Sequence, residues 1–211
     1  MIIPIALGIA VLSGLAWAYR KSIASAVPAL STGKATSSIS KGLVGKTAPA
    51  DGDMVQVKLG DETWLVSRDY IGPIGIGEAA DLAKSLGMQL PTPALVDAIW
   101  RQADLKLLPM PRNNVVSQAV FDDQARKIQE QIAGRSFTLL GGAFKDIVVG
   151  SDKFPQLYGW HVEDGKTVAG IPLLKPITPG AGKIIQPLSG HAHGLFFKDY
   201  SQGLRLVKRI A

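Results

Sequence analysis

Cysteine is absent from the 211 residues. That excludes disulfide scaffolds, thiolate zinc sites and cysteine nucleophiles, while leaving the compartment open. Histidine is scarce, with three in the whole chain. No Asp or Glu occurs before Asp51, although Arg20, Lys21, Lys34, Lys41 and Lys46 do. The formal net charge of +6 is therefore concentrated near the N-terminus. The rest of the chain is almost neutral and shows no basic face of its own, which argues against nucleic acid as a partner. Charged residues make up 19% and hydrophobic residues 46%, too apolar for a disordered chain, and the pattern has no heptad or collagen period.

What is present first is a charge-free run from Ile2 to Tyr19, IIPIALGIAVLSGLAWAY. At 1.5 Å per residue such a helix spans about 27 Å, close to the hydrocarbon thickness of a thin bilayer. Trp17 and Tyr19 sit at its end and Arg20-Lys21 follow at once, as interfacial anchors do. A secretory signal peptide needs a basic n-region, and none precedes the run. The expectation is a single-pass membrane protein, with residues 1–21 as the transmembrane anchor and residues 2–19 in contact with the lipid bilayer. The positive-inside rule places residues 20–211 in the cytoplasm, whereas an uncleaved export anchor places them outside; the sequence leaves the side open. Residues 22–53 are small, polar and without apolar period, and read as a flexible linker.

Residues 54–211 read as one globular domain. Apolar stretches on either side of Gly60-Asp61-Glu62 predict a hairpin. Ala79, Leu82, Ala83 and Leu86 at helical spacing predict a helix over 78–86, with Gly87 beyond its end. Thr92 and Pro93 open a second helix that buries Leu95, Val96, Ile99, Trp100 and Ala103. A third runs from about Ser117 to Ala133, with Phe121, Ala125, Ile128 and Ile132 inward and a solvated charged face outward. After Gly134 the pattern becomes short extended runs separated by Gly, Pro and Asp, at 137–140, 146–149, 157–161, 168–174, 184–188 and 204–207. Helices in the first half and a mainly antiparallel sheet in the second define an α+β fold.

All three histidines, His161, His191 and His193, lie in that second half, with Asp146, Asp199, Ser201 and Arg205. His191 and His193 would share a strand face and, with His161 or a carboxylate, would make a zinc site if they converged; spacing alone does not show convergence, so no cofactor is expected. Ser201 has His193 and Asp199 nearby but lies in neither a G-x-S-x-G elbow nor an S-x-x-K motif. General acid–base work by His161 or His193 with Asp146 or Asp199 needs only a shared cleft, and Arg205 can clamp a carboxylate bidentately. The structural alternative is an internal Asp199–Arg205 ion pair holding the last strand.

Six stretches carry a resemblance: LPTPALVDAIW at 90–100, KLLP at 106–109, G-x-x-KDIVV at 142–149, YGWH at 158–161, IQPL at 185–188 and DYSQGLRLV at 199–207. In this order they resemble a family of largely uncharacterised, often exported bacterial proteins, over roughly residues 55–207. The resemblance implies that Asp146, Tyr158, Trp160, His161, Gln186, His193, Asp199, Tyr200, Ser201 and Arg205 occupy motif positions. Tyr158, Trp160, Gln186 and Arg205 are the expected substrate-binding residues, and His161, His193, Asp146, Asp199 and Ser201 the catalytic ones. Three departures stand out. Phe144 occupies a usual lysine position, Gln202 replaces the histidine of DYSHG, and about eighteen extra Gly- and Pro-rich residues separate His161 from Ile184. Gln202 does not titrate, so binding without turnover is one expectation.

Two functions follow as expectations. One is a tethered domain acting on the cell envelope, a peptidoglycan hydrolase of the phage-lysis or envelope-processing kind. The other is a non-catalytic membrane-anchored module that binds a membrane or coat protein, as in a membrane-containing virion.

Overall fold

The computed structural model describes residues 53–113, 116–190 and 192–211. The expected membrane span and most of the expected linker lie outside the described residues, as does His191. Among the described residues no helix is long and apolar enough to cross a membrane.

The described part is α+β, with three helices and antiparallel and mixed sheets. Strands β1 (Met54–Leu59) and β2 (Glu62–Ser67) form the expected hairpin, paired from Met54↔Ser67 to Leu59↔Glu62. Gly60 at φ +58° supplies the positive φ that so tight a turn requires. Helices α1 (Ile76–Ser85), α2 (Pro93–Gln102) and α3 (Gln118–Ile132) follow, with the two-residue strand β3 (Leu105–Lys106) between α2 and α3. The second half holds β4 (Leu140–Gly141), β5 (Lys145–Val149), β6 (Pro155–Val162), β7 (Lys183–Gln186), β8 (Gln202–Gly203) and β9 (Val207–Arg209).

Three sheets result. One has the order β1-β2-β9, one pairs β3 with β4, and the largest has the order β7-β6-β5-β8. The pairings β3–β4 and β5–β8 are parallel and the other strand pairings antiparallel, so the sheets are antiparallel and mixed. Helix α2 lies on the first sheet, where Leu95, Ala98 and Ile99 pack with Val57, Val66 and Val207. Its Thr92 cap accepts from the Leu95 amide at 3.2 Å, with Pro93 where its missing N–H costs nothing. Helix α1 has no side-chain cap; the Ile76 and Gly77 amides instead donate to the carbonyls of Phe197 and Leu195.

Four local expectations change. Of the run at 137–140 only Leu140 enters a strand, β4. The run at 168–174 is not a strand: only Leu174 bridges, to Ile184. Gly170 at φ +72° and the fixed φ of Pro172 break an extended run there. The run at 204–207 is split, because Leu204 bridges to Ile71 and Val207 enters β9. On α3 the buried ridge is Gln124, Ile128 and Ile132, so Phe121 sits at its margin.

Candidate functional site

Helix α2 is buried continuously from Leu95 to Trp100. A helix with no solvated face there has nowhere to turn Asp97 except into the protein, and its carboxylate is fully buried. A buried charge needs donors, and three converge on it. The Tyr158 hydroxyl donates to Oδ1 at 2.9 Å, His161 Nε2 lies 2.8 Å from the same oxygen, and the Thr178 amide donates to Oδ2 at 2.6 Å. The Trp100 ring, one turn along α2, stacks on the His161 imidazole at 5.3 Å between centroids.

The meeting of Tyr158 and His161 is not what strand geometry alone gives. Residues three apart on a regular strand face opposite sides. Gly159 (φ +90°) and Trp160 (φ +54°) both take left-handed backbone conformations and turn the chain between them. His161 therefore joins Tyr158 on the α2 side, while Trp160 points the other way, edge-on to Tyr200 and 5.5 Å from Lys145 Nζ. A Cβ at Gly159 would lie 3.1 Å from the His161 ring. Burial lowers the His161 pKa despite the Asp97 carboxylate, so the imidazole is neutral near pH 7 and Nε2–H donates to Asp97.

Asp146 is paired with Tyr158 across β5–β6 and so shares its face. It belongs to a second buried cluster. The Tyr70 hydroxyl donates to Asp146 Oδ2 at 3.2 Å, and the Arg205 guanidinium lies 3.9 Å from the Tyr70 ring centroid. Burial raises the Asp146 carboxyl to about 7 against the pull of Arg205 and Tyr70, with the Asp97 charge pushing the same way. Asp69 is raised to about 6, again by burial. Arg205 donates to the carbonyls of Ser67 and Leu140, each at 2.5 Å. It is fully buried, so its donors face the protein's own backbone rather than a ligand carboxylate.

The remaining predicted residues fall elsewhere. Ser201 donates from both Oγ and N to Asp199 Oδ1, each at 2.7 Å, with no imidazole between them. Asp199 faces Lys145 at 4.0 Å, so the expected Asp199–Arg205 pair is replaced by two separate arrangements. His193 stacks on Phe197 at 4.2 Å, on the segment laid against α1. Gln186 donates to the Pro187 carbonyl beside it. Gln202, with its amide nitrogen toward the carbonyls of Phe197 and Ile74, donates to both at 3.1 Å. A shallow groove lined by Ala83, Lys84, Met88, Leu90, Val149 and Pro155 contains none of the predicted residues.

The structure thus gathers Tyr158 and His161 around a residue that sequence reasoning passed over, Asp97. It seats Asp146 with Arg205 next to them and separates His193, Asp199, Ser201 and Gln186 from that centre. Among the described residues no group of three His, Asp or Glu side chains is placed to hold a metal ion. No family model, no curated protein and no solved structure matches the chain.

Proposed function

We propose that the chain is a membrane-anchored, non-catalytic binding module of the cell envelope or of a membrane-containing virion, whose partner is a membrane or coat protein. The observation that carries this reading is the burial of His161, Asp146, Ser201 and Arg205, although His193 and Asp199 are only half-buried. His161 and Asp146 are each 2% exposed, and Ser201 and Arg205 are fully buried. A catalytic group has to reach the reacting atoms. Here imidazole, serine and guanidinium contact the protein's own groups, and Gln202 binds backbone carbonyls at the position where the resembled family has histidine. The apolar run at 2–19 supports the anchor.

The test uses the full-length chain in detergent on cell-wall sacculi, with and without chelator, beside His161→Ala and Asp199→Ala. The expected result is no loss of turbidity in any sample, with co-purification of one stoichiometric envelope or coat protein. Clearance by the parent chain that either substitution abolishes would sink the proposal. A topology reporter fused after residue 50 decides which side of the membrane holds the partner.

The hydrolase reading keeps one observation in its favour. A neutral imidazole oriented by a carboxylate is the pair that general acid–base catalysis uses. In that reading the pair acts only when what covers it moves aside.

A further inference from the structure

We propose that residues 171–180 form a displaceable strap filling, in cis, a binding site for the backbone of a bent polypeptide segment, with the Tyr158 hydroxyl and the Asp97 carboxylate as the site's acceptors. This deepens the binding-module reading and rests on it.

The acceptors come from two different elements, α2 and β6, and their donors are consecutive backbone amides. Ile177 N–H donates to the Tyr158 oxygen at 2.8 Å and Thr178 N–H to Asp97 Oδ2 at 2.6 Å. Below them lies the platform of His161 stacked on Trp100. The strap itself has little hold on the core. Leu174 is 41% exposed and Ile177 is 53% exposed, so lifting them forfeits little apolar burial. Beyond the two amide contacts, its backbone tie to the body is the Leu174–Ile184 bridge, with bonds of 2.8 and 2.9 Å. Segments with few buried apolar contacts open locally at low cost.

The feet of the strap stay fixed while it moves. Val162 and Lys183 are direct partners in the β6–β7 pairing, so residues 163–182 are a hairpin loop whose ends are already closed. Pro172, Pro176 and Pro179 each fix one φ, which lowers the ordering cost of laying the segment into the site.

The chemistry of the vacated site defines its ligand. Lifting the strap leaves a carboxylate oxygen and a phenolic oxygen each without its backbone donor. A replacement has to bring two adjacent N–H groups to one side, as a polypeptide backbone does at a bend and as residues 177 and 178 do here. An anionic ligand would set negative charge against the Asp97 carboxylate and is rejected. The strap is the chain's own stand-in for such a segment.

The test replaces residues 163–182 of the full-length chain with Asn-Gly, a two-residue turn suited to closing the Val162↔Lys183 pair. The probe is a synthetic peptide of residues 170–180, followed by tryptophan fluorescence and calorimetry. The expected result is binding to the strapless chain with a Kd on the order of 10–100 μM, and about tenfold or more weaker binding to the intact chain. N-methylation of the peptide at the Ile177 and Thr178 positions, or Tyr158→Phe in the strapless chain, should also weaken binding about tenfold. Unchanged affinity of the methylated peptide would overturn the proposal. So would absence of binding by a strapless chain that keeps its circular dichroism and cooperative melt. Should the strapless chain fail to fold, hydrogen exchange on the intact chain decides. The Ile177 and Thr178 amides should exchange by local opening well ahead of the β6 amides, and equal protection would overturn the strap. Clearance of sacculi by the strapless chain would overturn the binding-module reading while leaving the strap's displacement intact. Absence of both clearance and peptide binding overturns the strap alone.

Discussion

His161 Nε2 and the Tyr158 hydroxyl meet on one oxygen of Asp97, at 2.8 and 2.9 Å. One carboxylate oxygen thereby ties a helix to two positions of a strand that ordinary pleating would turn apart.

Removing that oxygen should be costly. Asp97→Ala strands the Tyr158 O–H, the His161 N–H and the Thr178 amide in the interior, and should destabilise the domain by roughly 3–5 kcal/mol. Asp97→Asn keeps the volume and one acceptor and should cost about half as much or less. Urea unfolding midpoints of the two variants check the order; an alanine variant as stable as the parent contradicts it.

The kink has its own signature. Gly159→Ala forces a side chain to φ +90° and places its Cβ 3.1 Å from the His161 ring, so a loss of about 1–3 kcal/mol is expected. Gly165→Ala also sits at positive φ, +80°, but with open space around it. It should cost about 1–2 kcal/mol, the left-handed strain alone. Thermal melts of the two side by side separate backbone strain from collision.

Stability should fall as pH rises from about 4 to 7. Asp146 moves from 3.8 to about 7 on folding, and Asp69 from 3.8 to about 6. A carboxyl whose folded pKa is raised contributes fully below its unfolded value and loses that contribution as pH climbs through the folded one. His161 acts oppositely, because its lowered pKa penalises folding as pH drops below 6.5. Asp146→Asn should flatten the decline between pH 4 and 7. Unfolding free energies measured across that range provide the check, and an unaltered slope in the variant refutes the assignment.

Phe144→Lys would place a charged side chain at a site that rejects it. Phe144 is fully buried, edge-on to Tyr70 at 5.7 Å, and its Cβ lies 2.7 Å from where a Gly203 Cβ would stand. An unpaired ammonium in that space should cost about 4 kcal/mol or prevent folding. A soluble variant with a parental melting temperature would show that this pocket accepts a cation.

Much of the fold was legible from local chemistry. The Thr92-Pro93 start of α2, the Ser117 start of α3 and the Gly60 turn all follow from which backbone groups those residues satisfy. The site was legible in part. The sequence points to His161 and Asp146, and both lie at the buried centre, but the partner of His161 is Asp97 rather than Asp146 or Asp199. Strand periodicity hid the pairing, because it puts residues 158 and 161 on opposite faces and carries no sign of the positive φ at a tryptophan. The pattern in LVDAIWRQ did not show it either, because Arg101 four residues on offers Asp97 an ordinary polar neighbour on the same face. Proximity in sequence misled for His193, which stacks on Phe197, while Asp199 and Ser201 bond each other with no imidazole beside them.

Arg205 touches more of the molecule than any catalytic assignment suggested. Its two hydrogen bonds end on β2 and β4, and the Tyr70 ring beside it leads to Asp146 on β5. A single rivet through three sheets leaves no seam at which the domain can be divided. Half-domain fragments should therefore emerge from expression as insoluble pieces, and force applied at any one sheet should be felt in all of them.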